Sequence, residues 1–302
     1  MCYLKYRLTI NAAGRYPVLE IDEEKFNSIV TALNLLSAAM AIEEKYELLI
    51  GNYLDLEKEV LNVTAEDILY SSSEYSGFFD IRLACNKRIV NLLTSTKLYT
   101  DHIQQHTKIC VPDSSSKVKA FFSKEYDENF EYRFMEALRN YVQHRGLAVH
   151  ATKHGSRWLS SEDDSLMECG TKIFTRKSEL ENDKAFKKAV LNEMNGDVEL
   201  ISTIRKYVES INYAHIQIRG LIEESVKNSR ELIESVISNY EGSNNGNSLG
   251  LCATAYEPEE PIDIIVNKVQ VFLDWDDVRI KLESKNRKLT NLSRKYVTGN
   301  CL

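Results

Sequence analysis

The feature that most constrains the fold is a series of apolar residues spaced three and four apart between residues 197 and 240. This spacing is typical of one face of an α-helix. A helix of about 42 residues rises by about 60 Å, so it needs a long partner helix along its length. That partner comes either from within the chain or from a second subunit. We therefore predict a long helix over about 197–240.

The rest of the chain also favours helices, because only 12 glycines and 4 prolines occur among 302 residues. Such scarcity of chain breakers disfavours a turn-rich β-sandwich. The apolar spacing predicts further helices over about 22–61, 78–105, 129–144, 183–194 and 275–296, and a shorter one after the serines at 114–116. Strand-like patterns occupy 3–10, 17–21 and 262–272, and residues 242–262 read as a flexible surface loop. The predicted fold class is all-α, mostly a helical bundle, with a small β-like insertion around 147–175.

Charge and cysteine content exclude several classes of protein. The net charge of −7 rules out a uniformly basic coat, although not a local basic site. No two of the six cysteines form a C-x-x-C pair, which excludes a zinc ribbon and a thioredoxin-type motif. The longest apolar run, residues 35–42, is far shorter than a membrane span, and the first residues do not form a signal peptide. We expect a cytoplasmic protein with no membrane partner.

One window of the chain is locally basic and rich in histidine. Residues 139–158 contain four cations and three histidines and no carboxylate. Arg139 offers a planar guanidinium that suits a phosphate, and Asn140 adds a neutral hydrogen-bonding group. His144 is able to donate or accept a proton near neutral pH. A cation, an acid–base histidine and a phosphodiester are the minimum set for cleaving RNA without a metal.

The order Arg139-Asn140, followed by His144 five residues after the arginine, resembles the R-x(4–6)-H signature of the HEPN family. HEPN domains are all-α, and many members are metal-independent endoribonucleases of bacterial toxin–antitoxin, abortive-infection and antiviral defence systems. The resemblance covers about twenty residues around the motif. It implies that residues 1–160 form a HEPN-like helical core and that 161–302 form a helical extension of unknown role.

The resemblance also implies a mechanism and partners. Arg139 would stabilise the negative charge that builds up in the phosphorane-like transition state, and His144 would act as general acid–base for attack by the RNA 2′-hydroxyl. Asn140 would help to orient the site, and the products would carry 2′,3′-cyclic phosphate ends. Two chains would form a homodimer with a composite site, without cofactor or metal. Beyond the motif, Arg145, Lys153 and Arg157 are the candidate RNA-binding residues, and an antitoxin or another defence protein is a candidate partner.

The motif requires a particular helix end and departs from some family members. Residues five apart on an ideal helix point about 140° apart, so a shared site requires the helix to end near His144. Gly146 fits that end, because glycine readily adopts the left-handed backbone conformation that closes the last turn of a helix. HEPN toxins silenced by AMP transfer carry a tyrosine at this place, so that form of control is not expected here.

Several alternatives stay open. Arg145 and His150 repeat the spacing of the motif, and Arg139 could instead pair with a carboxylate such as Glu136. His144, His150, His154 and Cys169 could bind a metal ion. The chain could also be a non-catalytic helical module that binds RNA, or one that docks on a protein through the seam of Ile204, Ile211 and Ile218. His215, in the same seam, is expected to be a hydrogen-bonded structural histidine.

Overall fold

The computed structural model describes residues 4–70, 75–162, 165–286 and 291–295. Within them the chain is mostly helical, in agreement with the predicted class. The α-helices are α1 Glu23–Tyr70, α2 Tyr75–Cys110, α3 Ser115–Glu128, α4 Phe130–His144, α5 Lys177–Glu181, α6 Lys188–Glu193, α7 Leu200–Ser243 and α8 Asp274–Asn286. A HEPN-like arrangement of these helices stays a prediction.

Two small antiparallel sheets accompany the helices. The first has four strands in the order β2-β1-β6-β7, and the second has three in the order β3-β4-β5. The strands are β1 Lys5–Ile10, β2 Leu19–Ile21, β3 Ala151–Trp158, β4 Met167–Thr175, β5 Val198–Glu199, β6 Leu251–Glu257 and β7 Ile264–Gln270. The β3–β4 hairpin confirms the β-like insertion predicted around residues 147–175.

The chain divides into two compact units, each built from separated segments. Unit 1 comprises residues 1–44, 103–116 and 218–286, and unit 2 comprises 45–102, 117–217 and 287–302. Both units therefore draw on sequence from either side of residue 160. The division into two sequential domains at that point stays a prediction.

Helix α7 has defined ends. The carboxylate of Glu199 accepts hydrogen bonds from the backbone N–H groups of Ile201 and Ser202, both at 2.8 Å, which caps the first turn. The helix ends where Asn245 and Gly246 adopt positive φ values of 51° and 78°. The long helix predicted over about 197–240 is thus confirmed as 200–243.

In unit 2, helix α7 packs against α1 and α2 through a buried polar cluster. His215 accepts or donates a hydrogen bond at 2.9 Å between Nδ1 and the hydroxyl of Tyr99. Its ring stacks on Tyr46, with centroids 3.7 Å apart, and the Tyr46 hydroxyl donates to Asn212 at 2.6 Å. His215 is therefore the hydrogen-bonded structural histidine that the sequence predicted.

A partly buried ion pair joins the same helices about two turns away. The guanidinium of Arg205 contacts both carboxylate oxygens of Glu57 at 2.6 and 2.7 Å, and the Tyr53 hydroxyl donates to Glu57 at 2.7 Å. Burial acts to raise the pKa of Glu57, but the hydrogen bonds from Arg205 and Tyr53 and the Arg205 charge outweigh it and lower that pKa. Glu57 therefore stays ionised inside the helical core.

The seam of α7 is covered by the protein itself. Ile204, Ile211 and Ile218 are all at most 1% exposed. The partner helix that the length of α7 requires is consequently internal. Those three side chains are therefore not open to a partner, and docking of the chain on another protein stays a prediction.

In unit 1 the central strand β6 corrects the prediction of a flexible loop over 242–262. Leu251 to Tyr256 are all buried, and β6 pairs with β1 on one side and β7 on the other. Glycine-rich and proline-rich segments on both sides concealed the strand. Its register places Leu8 of β1 opposite Ala253, a pairing that no local pattern reveals.

Two other helix predictions need correction. The helix predicted over 183–194 is shorter in the structure, where α6 spans only residues 188–193. Residues 182–187 form turns after α5 instead. The final helix predicted over 275–296 is α8, which ends at Asn286. Residues 287–290 and 296 of that prediction lie outside the described residues. Asp276 anchors α8 to α7 within unit 1 through Arg230, and it also bonds to Arg279 of its own helix.

Helix α1 is the one described helix long and apolar enough to cross a membrane by length and composition. Its most apolar 18-residue window has a mean hydropathy of 1.3, and 44% of that window is buried inside the protein. Core helices of soluble proteins satisfy the same criterion. The cytoplasmic location and the lack of a membrane partner stay predictions.

Candidate functional site

Helix α4 carries the motif, and its boundaries match the prediction. One face buries Tyr132, Phe134, Met135, Ala137 and Leu138, and the remaining face is open to solvent. Asn129 occupies the N-cap position, although its side chain makes no capping hydrogen bond and donates to Glu125 instead. His144 is the last residue of the helix, as the motif requires.

The helix end differs from the predicted left-handed glycine. Glycines with positive φ among the described residues are Gly14, Gly246 and Gly250, so Gly146 does not adopt that conformation. The backbone N–H groups of Arg145 and Gly146 both bond to the carbonyl of Tyr141. Gly146 is needed for space instead, because a Cβ there would lie 2.4 Å from the Tyr141 hydroxyl and 2.7 Å from its Cζ.

We expect Gly146→Ala to lower the free energy of unfolding by about 1–3 kcal/mol, the usual cost of overpacking. The added methyl group displaces the Tyr141 ring, which lines the candidate site. Urea unfolding measures the change, and Tyr141→Leu in the same chain should restore most of it. Gly155→Ala is the matched control, because nothing lies within 4 Å of a Cβ at that position. Equal stability of the two alanine variants would contradict this account.

The motif side chains line one open pocket in unit 2, of about 360 Å³. Arg139, Asn140, His144 and Arg145 all contribute to its wall. The 140° angle between positions 139 and 144 does not keep either side chain from the lining of this pocket. The structure therefore brings together the three predicted catalytic residues and one predicted RNA-binding residue.

Arg139 is held in place by its neighbours. Its Nη1 pairs with Glu136 at 3.1 Å, and its Nη2 donates to Asn140 Oδ1 at 3.2 Å. The pairing with Glu136 is the alternative that the sequence left open. The Arg139 Nε is buried and has no hydrogen-bond partner among the described residues. One donor of the guanidinium is thus uncommitted within that part of the chain.

Glu136 connects the pocket to the core. Its second oxygen accepts a hydrogen bond at 2.7 Å from the hydroxyl of Tyr207, which is completely buried on α7. Burial raises the pKa of Tyr207, and the Glu136 charge raises it further, so this tyrosine remains a donor. Glu136 therefore links the buried Tyr207 to Arg139 and holds the guanidinium in place. Its position three residues before Arg139 on one helix is the sequence signal for this role.

The sequence did not single out several other pocket residues, some of which come from distant segments. Lys187 and Asp183, from the turn between α5 and α6, line the pocket opposite α4, and Tyr126 and Arg133 complete it. Lys187 contacts the Tyr126 ring and hydroxyl, and Arg133 pairs with Glu193 at 2.6 Å. The lining holds four cations and two carboxylates, so its charge is positive but partly compensated.

The two remaining predicted RNA-binding residues lie elsewhere. Lys153 and Arg157 line a second pocket on the β3–β4 hairpin, in which Arg157 pairs with Glu168. Lys153 lies over the Phe174 ring at 4.9 Å. Residues 139–158 contain no carboxylate. Carboxylates from outside that range nevertheless neutralise part of its positive charge. The structure does not bring these two cations to the pocket of His144.

The competing histidines are also separated from the motif. His150 lines a third pocket with Arg82 and Arg176, rather than with Arg145, and His154 bonds to Thr171 at 3.0 Å in the second pocket. Among the described residues, no group of three or more His, Cys, Asp or Glu could hold a metal ion. The metal site considered for His144, His150, His154 and Cys169 therefore does not form from these residues.

No family model, curated protein or solved structure matches this chain.

Proposed function

We propose that the protein is a metal-independent endoribonuclease of a bacterial toxin or antiviral defence system. The observation that carries the proposal is the pocket at the end of α4, whose lining includes Arg139, Asn140 and His144. It offers a fixed guanidinium and an exposed histidine in one cavity large enough for a nucleotide phosphate. Those are the groups that the HEPN resemblance assigns to RNA cleavage.

In the proposed reaction the 2′-oxygen of a ribose forms a bond to the adjacent phosphorus, and the bond from phosphorus to the 5′-oxygen breaks. The 2′-hydroxyl loses a proton and the departing 5′-oxygen gains one. His144 transfers protons, and Arg139 stabilises the negative charge that grows on the phosphate oxygens. Asn140 and Glu136 position the guanidinium through the contacts described above.

The proposal includes a homodimer, because each chain supplies one motif and a composite site needs two. A protein partner such as an antitoxin would restrain the activity. Multi-angle light scattering on the purified chain measures the mass in solution. A mass of twice 34.7 kDa supports the dimer, and a monomer at the concentration used for cleavage contradicts it.

The test of the activity is cleavage of total RNA in the presence of EDTA. We expect the wild-type protein to cut RNA and to leave 2′,3′-cyclic phosphate and 5′-hydroxyl ends, and to leave DNA intact because DNA lacks the 2′-hydroxyl. Cleavage that stops in EDTA would contradict the metal-independent mechanism. Products with 3′-hydroxyl ends would contradict attack by the 2′-oxygen.

A second candidate function is RNA binding without cleavage. The observation that favours it is the engagement of Arg139 by Glu136 and Asn140, which a purely structural arginine would also show. This candidate predicts retention of RNA by the protein with no change in RNA length. Gel electrophoresis of the RNA after incubation therefore separates the two functions.

A further inference from the structure

The first two turns of α2 present an aromatic face to solvent. Tyr75, Phe78, Phe79 and Arg82 follow the spacing of one helix face, and the three aromatic side chains are 81%, 39% and 47% exposed. Large aromatic groups clustered at the surface are uncommon in a soluble protein and mark binding sites. This aromatic face is unused by the function proposed above.

The aromatic face forms one wall of a pocket of about 340 Å³ in unit 2. The opposite wall contains His150, which precedes β3, and Arg176, which follows β4. Asn86, one turn beyond Arg82, fixes the helix to this wall, since its amide bonds to both the N–H and the carbonyl of Val149 at 2.9 and 3.4 Å. The pocket is therefore built by paired secondary structure.

The charge of this pocket is positive. Among the described residues its lining includes the guanidinium groups of Arg82 and Arg176 and no carboxylate. Burial lowers the pKa of His150 below its ordinary value, and the charges of Arg82 and Arg176 lower it further against the opposing Glu179 charge. The neutral form of His150 is therefore favoured. Its Nδ1 accepts the backbone N–H of Arg176 at 3.1 Å.

The aromatic pocket adjoins the proposed catalytic pocket. Tyr141 lines the catalytic pocket and His150 lines the aromatic one, and their rings meet edge to face with centroids 6.1 Å apart. The two pockets are therefore neighbours, joined by this ring contact. A polymer with a repeating phosphate and a flat ring at each step fits that arrangement.

We propose that the aromatic pocket binds a nucleobase and its adjoining phosphate from a single-stranded nucleic acid, next to the catalytic pocket. Aromatic rings stack on any base, and guanidinium groups bind phosphate and stack in turn. This inference rests on the proposed function for the identity of the ligand. It assigns Tyr75, Phe78, Phe79, Arg82 and Arg176 to the recognition of single strands.

The test measures binding of a short fluorescein-labelled single-stranded oligodeoxynucleotide by fluorescence anisotropy. This probe has bases and phosphates but no 2′-hydroxyl, so its binding is independent of cleavage. We expect Phe79→Ala to raise the Kd about tenfold. Arg82→Gln should also weaken binding, and it should reduce the slope of log Kd against log salt by about 0.7.

Matched variants separate recognition from folding. Phe272→Ala removes a similarly exposed aromatic group from unit 1, and Arg15→Gln removes an exposed arginine there, so both should bind as the wild type does. Phe79→Trp keeps a stacking surface and should restore binding. Circular dichroism and thermal unfolding establish that Phe79→Ala is folded.

Each outcome bears on this inference separately from the proposed function. The inference would be overturned if the wild-type protein bound neither the DNA probe nor an RNA of the same sequence. The aromatic face would then be assigned to contact with a protein partner. Unchanged binding by Phe79→Ala and Arg82→Gln would also overturn it, even if RNA is cleaved. Weakened binding by both variants supports it, even if the wild type cleaves no RNA.

Discussion

Replacement of His144 by alanine is expected to lower the rate of RNA cleavage by a factor of about 10²–10⁴, the usual contribution of a general acid or base. His144 is exposed at the last residue of α4 and lines the catalytic pocket, so the change removes proton transfer without disturbing the buried face of the helix. Initial rates on a labelled RNA in EDTA measure the effect, and the variant should unfold at the wild-type temperature.

Two further variants make that result specific. His102→Ala removes an exposed histidine from α2, outside the pocket, and should cleave RNA at the wild-type rate. Arg139→Lys keeps a charge but loses the planar fork held by Glu136 and Asn140, so it should also be strongly impaired. A His144→Ala protein as active as the wild type would show that the pocket at the end of α4 is not the catalytic site.

Replacement of Arg205 by alanine is expected to lower the free energy of unfolding by about 3 kcal/mol. This is the low end of the cost of breaking a buried ion pair, because the Arg205 side chain is partly exposed. The change removes the cation that pairs with Glu57, whose side chain is only 10% exposed. The carboxylate then keeps the hydrogen bond from the Tyr53 hydroxyl alone among these contacts. Urea denaturation followed by circular dichroism measures the loss. Lys97→Ala, which breaks the exposed pair with Asp101 on α2, should cost at most about 1 kcal/mol.

The same pair predicts how stability depends on pH. Because the pKa of Glu57 is lower in the folded protein, its contribution is complete above the ordinary pKa of a glutamate and is lost as the pH falls through the lowered value. The difference in stability between the wild type and Glu57→Gln should therefore shrink as the solution is acidified below that ordinary value. A difference that is constant with pH would contradict the assigned ion pair.

The sequence predicts those parts of the fold that depend on local patterns. The spacing of apolar residues places α4 and α7 within a few residues of their observed bounds, because each helix buries one continuous face. The motif of Arg139, Asn140 and His144 is likewise local, and its three residues reach one pocket. The hairpin of β3 and β4 is visible because the helical period disappears there.

The parts that escaped prediction depend on contacts between distant segments. Strand β6 is invisible locally, since its neighbours β1 and β7 define it. Lys187 and Asp183 reach the pocket through turns after α5, and Glu168 and Glu193 neutralise cations that stand alone in the sequence. Charge counted along a window therefore overstates the positive field that a ligand meets.

The register of the first sheet has a consequence for synthesis of the protein. Strand β1 is synthesised long before the strand opposite it, in which Ala253 lies across from Leu8. Until that strand is made, one edge of β1 has unpaired backbone groups, and a chaperone or another nascent chain has the opportunity to bind there. Unit 1 is consequently completed after translation has passed β7, and a ribosome that stalls before this point releases a chain without its four-stranded sheet.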